Sequence, residues 1–415
     1  MTDSLSNSER LARLYDPSYV HRVETLNGGA PVRVCIEGRM LKDNEGTGVS
    51  IYAHTLTRCL GEAGAEALIL GDGNAPKPRS RALRWLAATR RSPRTATAPV
   101  DAPDAPQVPD LFREAQVFFN LHGRSLPVAF EEPPVVMHWT YPVPLHVVGA
   151  RNLYTIHDLI PLTHPELTPI PMDRHGRILD AIVERADLLV TVTEAMRAEV
   201  VARLNVDAGR VVSTWQAVEA PLQADPRLPE GLRSGRYFLF CGRVETRKNL
   251  TAIAAAHAQS GAALPLVIVG PRVPGEDLLE ESLAAMPGVR RLPYLPRNEL
   301  LGLLRRARAL LFPTLAEGFG LPIVEAMTLG CPVLTSDRGA TAEVAGSAAL
   351  LIPPERTELI ADAIRRLERD DALCARLRAD GFARARHFTP ERYARRLRAL
   401  YAQALALPDD RKAAR

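Results

Sequence analysis

Glu317-Gly318-Phe319-Gly320-Leu321-Pro322-Ile323-Val324-Glu325 sets two carboxylates eight positions apart, across a glycine-rich loop that runs into a helix. Leu321-Pro322 can open that helix, because proline in the first turn forfeits only an N–H that has no intrahelical partner. Glu317 then precedes the helix and Glu325 lies about one turn inside it, so the two acids sit at different depths and are not interchangeable. Between them Gly318, Phe319, Gly320 and Leu321 form an edge that suits an anion. The glycines keep a Cβ out of the way of a ligand, and the positive end of the helix favours phosphate. The same residues also read as ordinary helix punctuation with two surface acids, so the segment needs support from elsewhere in the chain.

That support lies upstream. Tyr237-Phe238-Leu239-Phe240-Cys241-Gly242-Arg243-Val244-Glu245-Thr246-Arg247-Lys248-Asn249-Leu250 is an apolar strand that ends in glycine and releases Arg243 and Lys248. A planar guanidinium fork and a mobile ammonium together suit a diphosphate leaving group. Alone this is a solvated basic turn; with the glutamate segment it forms half of a site for a phosphorylated ligand.

The rest of the chain supplies the setting. Runs of four to eight apolar residues alternate with helix-period segments, the pattern of parallel sheets covered by helices on both faces. The pattern occurs twice. Strands are expected at 32–36, 68–70, 117–120, 135–138, 153–156 and 188–192, with helices at 172–185 and 194–204, and again at 237–241, 266–269, 310–312, 333–335 and 349–352. Residues 217–234, holding Pro221, Pro226 and Pro229, read as the linker, and 390–405 as a terminal helix.

A length of 415 residues with 46% hydrophobic composition agrees with two cores at roughly 100–200 residues each. The net charge of +4 is mild and does not call for nucleic acid as a partner. Cys35, Cys59, Cys241, Cys331 and Cys374 show no paired spacing, which fits reduced thiols in a cytoplasm. No stretch approaches the roughly 18 apolar residues of a membrane span. Met1-Thr2-Asp3-Ser4-Leu5-Ser6 lacks the basic and apolar regions of a signal peptide, so a cytoplasmic location is expected.

On these motifs the chain resembles the retaining glycosyltransferases of family 4. The resemblance rests on Phe240-Cys241-Gly242-Arg243 with Lys248-Asn249-Leu250, on Pro313-Thr314-Leu315-Ala316-Glu317 through Glu325-Ala326-Met327, and on Gly330-Cys331-Pro332-Val333-Leu334-Thr335-Ser336. Glu45-Gly46-Thr47-Gly48-Val49 and Ile156-His157-Asp158-Leu159-Ile160-Pro161 add to it, and coverage runs from about residue 32 to 401, with nothing matching 74–109. It implies the GT-B fold, α/β, with two facing Rossmann-like doubly wound domains and a cleft between them. Residues 1–220 would then be the acceptor domain, 221–389 the nucleotide-sugar domain, and 390–415 a helix crossing back to the first.

The implied reaction moves a hexose from a nucleotide diphosphate onto an acceptor hydroxyl with retention of anomeric configuration. By resemblance, Glu325 holds the ribose hydroxyls, Glu317 holds hydroxyls of the donor sugar, and His157 contacts the transferred sugar while Asp158 orders its loop. Gly46, Thr47 and Gly48 border the diphosphate and the acceptor, and Tyr294-Leu295 packs near the base. Taken alone, a short glycine loop mostly just turns the chain, and a histidine at a strand end is mostly a loop residue. No Asp-x-Asp motif is present. Arg243, Lys248 and the helix start at Leu321 would supply the positive field instead, so no metal and no cofactor is expected. The stretch from Ile156 to Pro161 resembles enzymes using GDP-mannose more than other members, which leans the expected donor toward GDP-mannose. Two other readings stay open: a catalytically silent partner or nucleotide-sugar sensor of the same fold, and a nucleotide-sugar epimerase. A glycoside hydrolase using Glu317 and Glu325 would leave Arg243 and Lys248 without a role.

One segment stands apart. Residues 77–94 contain Lys77, Arg79, Arg81, Arg84, Arg90, Arg91 and Arg94, no acid, and the apolar trio Leu83, Trp85 and Leu86. This composition suits contact with an anionic membrane surface, and with it a lipid-linked glycan acceptor and a peripheral place on the inner face of the cytoplasmic membrane. It equally suits a disordered, solvated insertion, given the Pro- and Ala-rich stretch 93–109.

Overall fold

A computed structural model of the chain describes residues 32–42, 47–73, 80–99, 102–221 and 226–408. The first unit holds β1 (Val32–Glu37), α1 (Gly48–Glu62), β2 (Ala65–Leu70), α2 (Arg81–Thr89), β3 (Arg94–Ala96), α3 (Leu111–His122), β4 (Leu126–Phe130), β5 (Val136–Trp139) and β6 (Leu145–Val147). It continues through β7 (Arg151–Ile156), α4 (Ile160–Thr163), α5 (Met172–Val183), β8 (Leu188–Thr191), α6 (Glu194–Leu204) and β9 (Val211–Ser213). Its main sheet runs β2-β1-β5-β7-β8-β9, with every pair parallel, and a small parallel sheet β3-β4-β6 lies beside it.

The second unit repeats the plan. It contains β10 (Phe238–Cys241), α7 (Leu250–Ser260), β11 (Leu266–Val269), α8 (Asp277–Ala285), β12 (Val289–Leu292), α9 (Arg297–Arg306), β13 (Ala309–Phe312) and α10 (Leu321–Thr328). After these come β14 (Val333–Ser336), α11 (Gly339–Ala345), β15 (Leu350–Ile352), α12 (Thr357–Arg369), α13 (Asp371–Ala385) and α14 (Pro390–Ala406). The sheet order is β12-β11-β10-β13-β14-β15, again all parallel. The central strands β10, β11 and β13 are buried along their whole length. Helices cover both of their faces, which is why they stand in the sequence as unbroken apolar runs.

Two expectations are corrected. Residues 117–120 are not a strand but the middle of α3, where Phe118 and Phe119 are buried and Asn120 is exposed. Residues 80–99 are not a disordered insertion: they form α2 and β3, tied down by Arg84 Nε to Asp110 Oδ2 at 2.5 Å and Arg94 Nε to Glu114 Oε1 at 2.5 Å. Lys77 and Arg79 lie outside the described residues.

The last helix, α14, is capped by Thr389 and lies against the first unit. Arg398 donates to the carbonyls of Glu62 and Ala63 at the end of α1, and Tyr393 packs edge-on against Tyr52. Tyr401 hydrogen-bonds His138 Nδ1 at 3.0 Å, while His138 Nε2 meets Thr155 Oγ1 at 2.9 Å. Burial drives the His138 pKa down to about 3, so it serves here as a neutral structural bridge.

Candidate active site

Both sheets aim the C-terminal ends of their strands at the interface between the units, the place where open α/β sheets bind ligands. From the second sheet, β10 ends at Gly242, whose φ of 142° excludes a side chain, and its loop continues through a short 3-10 turn, Thr246–Lys248. Asn249 closes that turn in the left-handed conformation, and its side-chain amide donates to the carbonyls of Pro313 and Pro354. The loop is thereby fixed against the segment that follows β13.

Glu317 sits in that following segment, between two cations. Lys248 Nζ donates to Glu317 Oε1, and Arg247 Nη1 lies 3.1 Å from Oε2. Burial alone would raise the Glu317 pKa, but the Arg247 and Lys248 charges override it and hold the carboxylate below its ordinary range. Arg247 also donates to the Ala316 carbonyl at 2.8 Å and pairs with Glu245 at 2.5 Å, and the Lys248 ammonium stands 5.2 Å from the centre of the Phe312 ring. Arg243 is different: its side chain is 55% exposed, with Glu245 3.8 Å away, so it remains open to a ligand.

Glu325 lies inside α10, 3% exposed, with Arg297 Nη2 at 2.8 Å from Oε1. The helix starts at Leu321-Pro322, and Gly320, at φ 92°, is its cap. Phe319 turns inward, edge-on to Phe388 at 5.6 Å. Gly318 meets the other unit. A Cβ built on it would stand 1.8 Å from the His157 carbonyl oxygen, and the Gly318 carbonyl accepts from Thr193 Oγ1 at 3.3 Å. The absent side chain at Gly318 thus makes room for the backbone of the opposite domain.

From the first sheet, His157 follows β7. Its Nε2–H donates to the Thr140 carbonyl at 2.8 Å and its ring stands edge-on to Tyr52 at 4.8 Å. Burial lowers its pKa, against the opposing pull of the Thr140 carbonyl and Asp158, so the ring is neutral near pH 7 with Nδ1 as an acceptor. Asp158 accepts from the Ile160 N–H at the start of α4. Thr47 caps α1 through its hydroxyl, and a Cβ on Gly48 would lie 3.5 Å from Leu321 Cδ1, so this end of α1 also faces α10. Gly46 lies outside the described residues. Tyr294 is 53% exposed and Leu295 packs against the core.

Glu317, Gly318, Lys248 and His157 therefore come together where the units meet, and Gly48 faces the start of α10. A cavity of about 350 Å³ opens beside them, lined from one unit by Leu159, His164 and Glu199 and from the other by Thr314, Glu317 and Arg338. Of the residues given a catalytic or binding role from the sequence, Glu317 alone is among its described lining residues. Thr314 Oγ1, buried, has no partner among the described residues and lines this space. Burial raises the pKa of Glu199, which Arg203 and His164 counter.

Sequence reasoning missed several participants. Arg247 lay inside the quoted basic loop, and only its burial marks it as the second clamp on Glu317. Glu343 was not singled out at all. Its carboxylate accepts from the N–H groups of Glu194 at 2.8 Å and Ala195 at 2.6 Å and from Trp215 Nε1 at 2.6 Å. A carboxylate of the second unit thus caps the N-terminus of α6 in the first, the geometry that a helix dipole favours.

Matches to known proteins follow the division into two units. A family model described as glycosyl transferases group 1 matches residues 230–384, and one described as glycosyltransferase family 4 matches residues 46–217. The O-antigen chain mannosyltransferase B of Escherichia coli is 31% identical over 256 residues, 58% of this chain and 67% of that protein. The serotype-specific mannosyltransferase WbdA of Escherichia coli is 25% identical over 270 residues, 60% of this chain and 33% of that protein, so the chain spans about a third of that longer relative. Among solved structures, sucrose-phosphate synthase from Thermosynechococcus elongatus superposes with a TM-score of 0.67 at 20% identity, over 90% of this chain and 98% of that one.

Proposed function

Because the chain belongs to the group 1 glycosyltransferases of family 4, with the paired Rossmann-like domains of the GT-B fold, we propose that it transfers mannose from GDP-mannose, with retention and without a metal, to a hydroxyl of a lipid-linked glycan. The product would be an O-antigen or other envelope or exopolysaccharide chain, assembled at the inner face of the cytoplasmic membrane. The mannosyltransferases of O-antigen chains among its relatives support mannose as the transferred sugar and the pathway class.

The observation that carries the reading is the buried meeting of Glu317 with Lys248 and Arg247 beside the backbone of His157. A carboxylate held below its ordinary pKa by two cations is a good acceptor for sugar hydroxyls and a poor nucleophile. This favours front-face substitution, in which the leaving phosphate takes the acceptor proton, over a glycosyl–enzyme intermediate. Arg243, open to solvent, and Lys248 would hold the diphosphate as charge develops on it, helped by the N-terminus of α10. Glu325 would take the ribose hydroxyls, exchanging Arg297 for them. His157 Nδ1 would accept from a hydroxyl of the transferred sugar.

Calorimetry of the purified chain with GDP, UDP, ADP and dTDP, then with GDP-mannose, UDP-glucose and UDP-N-acetylglucosamine, tests this without added metal. The expected result is one clear preference, for GDP and GDP-mannose. Arg243→Ala should weaken GDP binding by about 10- to 100-fold, as expected for losing a hydrogen bond between charged groups. A preference for UDP would overturn the donor assignment and leave the class intact, whereas binding of none by a folded protein would favour a silent partner. Transfer should persist in EDTA; activity that vanishes there and returns with manganese would overturn the metal-free reading.

A further inference from the structure

Eleven large apolar side chains are exposed among the described residues, and three of them, Leu83, Trp85 and Leu86, fall within one turn of α2 at 55%, 56% and 58% exposure. At about 100° per residue, Leu86 lies at the middle of an exposed arc of about 160°, with Leu83 at one edge and Trp85 at the other. The small residues Ala82 and Thr89 fill the arc, and Ala88 on the opposite side is buried.

This face is held rigid. Ser80 Oγ caps the helix by accepting from the Leu83 N–H, and Arg94 closes the other end by donating to the carbonyls of Ala87 and Arg90. On the inner side His122 of α3 meets the Ala88 carbonyl at 2.9 Å. These bonds hold the helix with the apolar trio facing outward. Such a concentration marks an interaction surface.

The charges around it identify the occupant. Residues 77–94 contain no acid. The carboxylates that α3 and its cap place beneath the helix, Asp110 and Glu114, are engaged by Arg84 and Arg94, and their side chains are only 4% and 1% exposed. Arg90 and Arg91, which follow the helix, are exposed. A short rigid helix with tryptophan and two leucines on its outer face, followed by guanidinium groups, matches the interfacial zone of an anionic leaflet. There an indole sits at headgroup depth and arginine meets lipid phosphates.

We propose that α2 is a membrane-docking face: Leu83, Trp85 and Leu86 enter the interfacial zone of an anionic bilayer, and Arg90 and Arg91 bind its headgroup phosphates. The inference is independent of the donor and acceptor assignments, since its test reads membrane binding and not transfer.

The test is cosedimentation of the full chain with phosphatidylcholine vesicles that contain or lack phosphatidylglycerol. Binding is expected to the anionic vesicles, weakened by salt, with a shift of tryptophan emission to shorter wavelength as the exposed Trp85 leaves water. The variant Leu83→Ser/Trp85→Ser/Leu86→Ser should lose about tenfold or more of that binding, and Arg90→Ser/Arg91→Ser should lose binding together with its salt dependence. Since these side chains face outward, affinity for whichever nucleoside diphosphate the wild type prefers should stay unchanged in both variants, and Trp85→Ala alone serves if the triple variant does not fold. Wild-type protein that stays in the supernatant with anionic vesicles would overturn the proposal. So would equal binding by the wild type and the apolar variants, or binding indifferent to phosphatidylglycerol.

Discussion

Replacing Glu317 by glutamine is expected to slow sugar transfer by roughly 100- to 1,000-fold, the range seen when one preorganised polar contact to a transition state is lost, while GDP binding survives. The substitution keeps the size of the side chain and removes its charge from between Arg247 and Lys248. One amide oxygen then serves where two carboxylate oxygens did, and the amide nitrogen donates toward cations that are themselves donors. Under the role proposed for Glu317 the sugar hydroxyls lose their anchor, and the two cations lose their counter-charge, which costs stability as well, on the order of 3–5 kcal/mol for a buried pair deprived of one partner.

The stability loss carries a pH signature. The folded-state pKa of Glu317 lies below its ordinary 4.5, so the carboxylate contributes stability that is present above that value and lost as pH falls through the folded pKa. The gap in unfolding free energy between wild type and Glu317→Gln should therefore be widest at neutral pH and narrow as pH falls below 4.5. Measuring kcat at saturating donor, GDP affinity by calorimetry and urea unfolding at pH 4 and pH 7 separates the two roles. An unchanged kcat would sink the assignment to the sugar. A mannosyl adduct on Glu317 would overturn front-face substitution.

How far the sequence reached depends on whether an effect is local. The strands β10, β11 and β13 were legible because burial on both faces leaves nothing polar in them. The same rule misled at 117–120, where Val117-Phe118-Phe119 is apolar because α3 packs one face inward; a short apolar run does not distinguish strand from helix. The small sheet of β3, β4 and β6 was invisible, since Arg94-Thr95-Ala96 and a strand containing Pro127 carry no alternation. In the site, the spacing of Glu317 and Glu325 and the proline at the helix start were readable from local rules. The bond between Glu343 and the start of α6 joins residues 149 positions apart, and no pattern within either segment announces it. Arg247 stood in view, but its burial depends on a loop that arrives from after β13.

Gly318→Ala should abolish most transfer, by roughly 100-fold or more, the scale at which a misplacement of about 1 Å is felt in catalysis, even though the new methyl group carries no chemistry. Its Cβ would stand 1.8 Å from the His157 carbonyl oxygen, 2.8 Å from that carbonyl carbon and 3.2 Å from Asp158 Cβ. Two of these are backbone atoms, so no rotamer change relieves the clash and one of the two units must move. The movement is opposed nearby by Thr193 on the Gly318 carbonyl and by Glu343 on α6. The variant is therefore expected to hold its domains apart with each still folded. GDP affinity should remain within a few-fold, because Arg243, Lys248 and Glu325 all belong to the second unit, while kcat collapses and small-angle scattering shows a larger radius of gyration. Gly320→Ala is the instructive contrast. Its φ of 92° and the nearby Ile323 side chain strain the start of α10 within its own domain, so that variant should lose nucleotide affinity and thermal stability without opening the molecule. Full activity in Gly318→Ala would mean that the units do not need this contact to catalyse, and that the close approach of Gly318 to His157 belongs to a resting arrangement of the enzyme.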